Sequence, residues 1–590
     1  MLPRPEYPRP ILVRDEWLNL NGAWDFAPDP QDVGLQQGWG QSHSWQQEII
    51  VPFCPEADAS GVDWRNPVDI VWYHRRFMHP GWTRERVLLH VGACDYATRV
   101  FINGHEVGQH QGGYAPQAFD ISHALRAGSN EVTVRAADTD SWQQPRGKQA
   151  GTSRWPIDYD PVTGIWQSVW LEPVNKHHIT HTHAQYSLES ATLSLTVGCA
   201  QMFAGTVVLE VFADGQLLGQ TTADAGQRSE IRLDLALKEP RLWSSADPYL
   251  HVVILRLLDD TGEQDRVESY TGLREVTVGA GVLTLNGEEI YLRGVLDQGY
   301  FPDGWYTAMT DEAIKADVEL TLAMGFNFAR KHQKAEDPRY LYWCDRLGLM
   351  LWAEMPSGRI FSTDLVTRLT AEWMALIKRD RANPSVIGWV PFNESWGVWH
   401  LATRPAQRAF VDAMVHLTRS LDPSRPVIGN DGWEYTSGDL WTLHVYEGEH
   451  EGQHQSLGDR IEQLLQDPGS EVIRGDRPRV GALPGSDVRG LPVLLTECGG
   501  VGFLPPGYVG ETFAYGDIPD SPAAFEARLR SVAKAIHDAD SLQGFVWTQL
   551  TDVQQEINGL LYFDRQPKLP LPLLREIIAG IGCIPAPGAE

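Results

Sequence analysis

The chain has little with which to bind a polyanion. Its 590 residues hold 49 Lys and Arg against 77 Asp and Glu, a formal net charge of −28. Nucleic acid and anionic membrane both demand a basic surface, so neither is expected as a partner. Cysteine is scarce: Cys54, Cys94, Cys199, Cys344, Cys498 and Cys583 are scattered, with no CxxC spacing. That argues against a disulfide framework and suits buried thiols in a reducing compartment. No run of about 20 apolar residues is present to span a bilayer. The opening MLPRPEYPRPIL lacks an apolar signal core and a cleavage site, so a cytoplasmic location is expected. Low-complexity tracts and 20–50-residue repeats are lacking too.

Tryptophan, by contrast, is plentiful, at 22 copies. Much of it is core filling, but a sugar site also needs flat apolar rings beside polar groups. The length exceeds what one core can serve, so several domains are expected. Residues 1–174 read as an all-β sandwich or jelly roll. Short runs such as Val87–Val91, Arg99–Ile102 and Glu131–Ala136 are separated by turn signals such as Asn103-Gly104. Residues 175–276 suit a small immunoglobulin-like sandwich, with Asp214-Gly215 as a turn. His177, His178, His181 and His183 at its start read as one strand face, since no acidic or cysteine ligand completes a metal set nearby.

Residues 277–590 change texture. Eight apolar runs alternate with amphipathic segments: Ile290–Val295, Phe326–Lys331, Met350–Met355, Val386–Phe392, Pro426–Asn430, Trp441–Tyr446, Val493–Thr496 and Phe545–Gln549. That is the size and order of a (β/α)8 TIM barrel, whose chemistry comes from the C-terminal ends of strands. Those ends carry Asp297, Arg330 to Lys334, Glu354, Asn393-Glu394, Asn430-Asp431, His444, Tyr446, Glu497 and Trp547. Glu394 and Glu497, after the fourth and seventh runs, face each other across the mouth. Glycoside hydrolysis needs such a pair, with close spacing giving retention and wide spacing inversion. Cys498 beside Glu497 tempts a thiol reading, but neighbours on a strand point to opposite sides. Glu354, Asp431 and His444 could ligate a metal, yet their spacing fits no ligand motif. No metal and no other cofactor is expected.

The chain resembles glycoside hydrolase family 2, the family of β-galactosidases, β-glucuronidases and β-mannosidases, over essentially its whole length. The resemblance rests on TGIWQSVWLE at Thr163–Glu172, LWSSADPYL at Leu242–Leu250, GLRE at Gly272–Glu275 and LNGEEIYLRGV at Leu285–Val295. It continues in PFNES at Pro391–Ser395 and LLTECGG at Leu494–Gly500. It implies a retaining mechanism, with Glu394 as acid/base and Glu497 as nucleophile. Asn393 would hold the sugar 2-hydroxyl, Tyr446 would contact the nucleophile and Trp547 would form a sugar platform. Asp158 would reach in from the first domain, and His332 stands where the family has a site histidine. Strand ends 1 and 2 depart from the family pattern, which brings Asp297 and Lys334 into the substrate-binding set. After the eighth run Asn558-Gly559-Leu560 lacks the lysine that β-glucuronidases use.

A retaining exo-β-glycosidase acting on an oligosaccharide or glycoside is therefore expected, with β-galactosidase the leading specificity. β-Glucuronidase, β-galacturonidase and α-L-arabinopyranosidase are alternatives, the acidic sugars resting on Lys331 and Lys334. A non-catalytic carbohydrate-binding protein is the alternative of another class. A homo-oligomer is compatible with such a chain.

Overall fold

A computed structural model describes residues 2–582 apart from 63, 65, 66, 152, 153, 447–455, 474–477 and 506. Cys583 lies outside the described residues; the other five cysteines are buried and unpaired. No helix among the described residues is long and apolar enough to cross a membrane.

The first domain stacks a six-stranded and a four-stranded antiparallel sheet. Period-two alternation on strands such as Gly22–Pro28 sends Trp24, Phe26 and their neighbours into one core with Tyr73, Leu89, Val134 and Leu171. Asn103 and Gly104 join Ala97–Ile102 to His105–Gln111 at φ +50° and +83°, the left-handed pair that a two-residue hairpin requires. The second domain packs sheets of three and four strands over Leu193, Leu195, Leu209, Ile231 and Leu255. On its strand Ile179–Ser187, His181 and His183 share a face. His181 reaches Glu230 at 3.2 Å and His183 reaches Asp422 of the third domain at 3.3 Å.

The third domain is a parallel barrel. Its strands are β1 (Leu292–Asp297), β2 (Phe328–Lys331), β3 (Met350–Glu354), β4 (Val386–Val390), β5 (Trp441–His444), β6 (Val493–Gly499) and β7 (Leu542–Thr548). They pair in the order β4-β3-β2-β1-β7-β6-β5. Burial on both faces explains why they read as continuous apolar runs rather than alternating ones. Helices cover the outside, and α1 (Asp311–Ala323), α2 (Pro338–Leu347) and α3 (Thr363–Asp380) show why they form. Helix α3 is capped by Ser362, has Asp364 in its first turn and Lys378 and Arg379 in its last, and buries Leu365, Leu369, Trp373 and Leu376.

One expected strand is corrected. Pro426–Asn430 forms no ladder; it meets β4 through a single parallel bridge, Trp389 to Val427, and a second bridge, Asn393 to Asp431, follows beyond the ends of both. Backbone bonds persist at those bridges, as in Ile428 N–H to Trp389 O at 2.9 Å and Asp431 N–H to Phe392 O at 2.9 Å, and side chains meet other polar groups of the segment. Val427 N–H donates to Asp439 at 2.8 Å, and the Asn430 amide donates to Trp433 O at 2.7 Å. The segment still closes the gap between β4 and β5, where His444 N–H donates to Gly432 O at 3.1 Å.

Candidate active site

The site is built on one guanidinium. Arg330, at the end of β2, is fully buried. Its Nε donates to Glu354 at 2.7 Å. Its Nη1 lies 2.6 Å from Asp431 and 3.1 Å from Glu497, and its Nη2 donates to the Asn393 side-chain oxygen at 2.5 Å. A planar fork with five donors can meet all four acceptors at once, which an ammonium cannot. Burial opposes its charge, and Asp431, Glu354 and Glu497 outweigh burial and hold it protonated.

Glu394 and Ser395 follow β4 with φ of +53° and +58°. Left-handed backbone at two consecutive non-glycine residues is strained, and it persists where surrounding bonds over-determine it. Here Glu394 N–H donates to Asp431 O at 2.9 Å, and Ser395 N–H donates to Asn430 at 2.8 Å. The Ser395 hydroxyl donates to Glu434 at 2.6 Å. The turn lifts the Glu394 carboxyl into the mouth, where its side chain is 17% exposed against 6% for Glu497.

Glu497, on β6, accepts from Arg330 and from the Tyr446 hydroxyl at 2.7 Å. The Tyr446 ring stacks on Tyr515 at 3.8 Å, which fixes the hydroxyl. Oxygens of Glu394 and Glu497 and a nitrogen of His444 all lie within 4.8 Å of one another. His444 stands between them. Its Nδ1 is 2.8 Å from Glu394 and 3.5 Å from Glu497, and its Nε2 is 3.0 Å from Asp431. Burial lowers the His444 pKa, but Glu497 and Asp431 push it up to about 10. Burial likewise acts to raise Glu394; the His444 hydrogen bond and charge override it and hold the carboxyl low. At Glu497 burial wins and the pKa rises, against the pull of His444 and Arg330. Three such atoms could also surround a cation, but Arg330 already supplies positive charge against Glu497 and Asp431.

Several polar atoms here are buried without a hydrogen-bond partner among the described residues: Asn393 Nδ2, Trp433 Nε1, Trp547 Nε1, Gln549 Nε2 and Asn558 Oδ1. Buried donors and acceptors of this kind cost free energy unless a ligand or water meets them. Trp547 Cε2 would lie 2.7 Å from a Cβ on Gly499, so only glycine lets that ring pack there.

Glu394, Glu497, Asn393 and Tyr446 thus converge, and Trp547 lies on the adjoining β7. His332 is buried with Nδ1 3.1 Å from Glu354; burial and Arg330 keep it neutral. Three expected substrate contacts each have protein partners. Lys334 is buried and spends its three donors on Gly299 O, Tyr306 O and Glu336. Asp297 is held by Lys331 at 2.7 Å and by Gly299 N–H. Asp158 is gripped bidentately by Arg359, which Trp142, Trp155 and Trp396 surround. Arg330, Asp431 and His444 are structural centres of the site that strand-end position flagged without ranking. Lys148 gave no sequence signal. It is 5% exposed, lies over Trp396 at 5.5 Å, and acts electrostatically on Glu394, His332 and Glu556. It pairs with no carboxylate among the described residues. The string His450-Glu451-Gly452-Gln453-His454 has HExxH spacing, which the expectation of no metal leaves unexplained; it lies outside the described residues.

Three family descriptions match in chain order. Residues 18–172 match "Glycosyl hydrolases family 2, sugar binding domain", 177–274 match "Glycosyl hydrolases family 2", and 276–466 match "Glycosyl hydrolases family 2, TIM barrel domain". The chain belongs to glycosyl hydrolase family 2. Glu394 falls within the matched barrel and Glu497 beyond it. A β-galactosidase of Thermoanaerobacter pseudethanolicus is 27% identical over 430 residues, 70% of this chain and 55% of that protein. A β-glucuronidase of Paenibacillus borealis is 25% identical over 457 residues, 71% of this chain and 74% of that protein. The chain spans about half the length of the first of these relatives. The structure of a β-glucuronidase from Ruminococcus gnavus in complex with D-glucuronic acid superposes with a TM-score of 0.80 at 20% identity. It covers 98% of this chain and 100% of that one, and shows the shared fold.

Proposed function

We propose that this family 2 chain is a retaining exo-β-glycosidase, with Glu497 as nucleophile and Glu394 as acid/base. The observation that carries the reading is the carboxyl pair itself, with oxygens within 4.8 Å of each other. Retaining enzymes hold the two carboxyl groups about 5–5.5 Å apart, whereas inverting ones leave room for a water. Glu497 attacks the anomeric carbon while Glu394 protonates the leaving oxygen; water then resolves the glycosyl-enzyme with Glu394 as base. Arg330 and Tyr446 aim one Glu497 oxygen each. Asn393, its side-chain oxygen fixed by Arg330, keeps its amide N–H for a sugar hydroxyl. Trp547 offers its face to the pyranose, and Trp155, Trp396 and Trp399 offer a wall for the aglycone.

Among sugars, a neutral β-galactoside is favoured. Lys331 and Lys334, which an acidic sugar was to use, are spent on Asp297 and Glu336. A β-uronide is the second reading, favoured by Lys148, which pairs with no carboxylate among the described residues. Nitrophenyl glycosides of galactose, glucuronic acid, galacturonic acid, mannose, fucose and arabinopyranose decide between the two. Glu497→Gln should lose at least about 1,000-fold in kcat while still binding sugar. A wild type inactive on every member of that panel would instead favour a carbohydrate-binding protein.

A further inference from the structure

We propose that the proton delivered to the leaving group is held jointly by His444 and Glu394, so that a histidine–carboxylate pair is the acid of the reaction. This rests on the reading of Glu394 as acid/base, and His444 acts in it as a positioning residue.

Each ring nitrogen faces a carboxylate, an arrangement that a doubly protonated ring satisfies; in the neutral Nδ1–H tautomer Nε2 would instead accept from Arg330 at 3.3 Å, and nitrogen-15 spectra separate the two. Nδ1 faces Glu394 at 2.8 Å and Nε2 faces Asp431 at 3.0 Å. A neutral imidazole has one N–H and cannot donate to both carboxylates. Asp431 is itself fixed as an anion by Arg330 at 2.6 Å and accepts from the Thr496 hydroxyl at 2.8 Å. The charged or titratable groups facing the ring are Glu394 after β4, Asp431, Arg330 on β2 at 3.3 Å from Nε2, and Glu497 on β6. His332 acts on it from beyond β2, and the Trp433 ring meets its edge at 5.7 Å. Three carboxylates against one guanidinium favour the imidazolium. Glu394 also feels Lys148 and His332. The free site therefore holds Glu394 ionised, although the first step needs a proton there. That proton is available 2.8 Å away.

The step balances within the site. As the glycosidic bond breaks, its electron pair goes to the leaving oxygen, and a Glu497 oxygen bonds to the anomeric carbon. The Nδ1–H bond breaks, Glu394 takes the proton and passes it to the leaving oxygen. In the second half the water oxygen bonds to the anomeric carbon, the carbon–Glu497 bond breaks with its electron pair returning to Glu497, and Glu394 takes the water proton and returns it to Nδ1. Because one proton serves two sites, the alkaline limit of activity belongs to the pair.

The test is the pH dependence of kcat/KM in wild type, His444→Asn and His444→Gln, on an alkyl glycoside and on the matching 2,4-dinitrophenyl glycoside. In both variants the proton must reside on a carboxyl, so the alkaline limb should move down by about one pH unit or more. The loss should be larger on the alkyl glycoside, which needs protonation, than on the dinitrophenyl one. An alkaline limb that stays in place, or an equal loss on both substrates, overturns the proposal. Nitrogen-15 histidine spectra of the wild type test it without a variant, and a neutral His444 at pH 7 overturns it too. A wild type inactive on all glycosides removes the reading of Glu394 instead.

Discussion

Around Glu497 each oxygen is met by a different donor. Arg330 donates to one at 3.1 Å and Tyr446 to the other at 2.7 Å. As the carboxylate attacks, these donors decide which oxygen leads. Removing the hydroxyl in Tyr446→Phe should lower kcat by about 10- to 100-fold, the worth of one hydrogen bond to a charged group. The ring keeps its stacking on Tyr515, so thermal stability should hold; a parallel drop in Tm would point to packing instead. Glu394, Glu497 and Asn393 were legible in the sequence because motif and strand end coincide at each, and Tyr446 because it lies at a strand end where the resemblance places a tyrosine. The partners of Asp297, Lys334 and Asp158 were not legible, because position along the chain does not say who pairs with whom. Lys334 finds Glu336 two residues on, but Asp158 finds Arg359 across 201 residues, a pairing no local pattern carries. Lys148 sits in an irregular loop with no period at all.

At the level of elements, regular strands and helices were readable because each has a period, and the irregular fifth barrel segment was not. Its run of apolar residues looks like a strand, yet it pairs only at isolated bridges, with Asp439 and Asn430 adding side-chain bonds between them. That irregularity serves the site, since Asp431 lies at its end and Gly432 just beyond. Gly432 has φ +99°, and a Cβ there would stand 2.6 Å from His444 Nδ1. Gly432→Ala is therefore strained in its backbone and pushes directly on the ring. It should destabilise by about 1–3 kcal/mol and displace His444 from Glu394. The pH profile of Gly432→Ala should then resemble that of His444→Asn. A wild-type profile in the alanine variant would mean that the ring tolerates the shift.

Across the whole molecule, the first domain is held to the barrel by buried polar contacts as well as packing. Glu372 of α3 accepts Tyr114 N–H at 2.6 Å and Ala115 N–H at 3.1 Å through one oxygen, while its other oxygen has no partner among the described residues. Burial pushes this carboxyl up to about 7, against the pull of those amides. A carboxyl whose pKa is raised on folding contributes stability that is fully present below its unfolded value near 4.5. That contribution is lost as pH rises towards 7 and stays lost above it. At about 1.4 kcal/mol per unit, the loss from this one group is about 3 kcal/mol. Gln at 372 keeps an oxygen for the two amides and cannot ionise. Relative to wild type, Glu372→Gln should thus gain stability between about pH 5 and pH 8, measured by urea unfolding at each pH. Glu56 and Asp345 carry raised values too, so only the difference between variant and wild type isolates Glu372. A difference that does not change with pH would mean that the junction carboxyl is ionised and solvated at no cost.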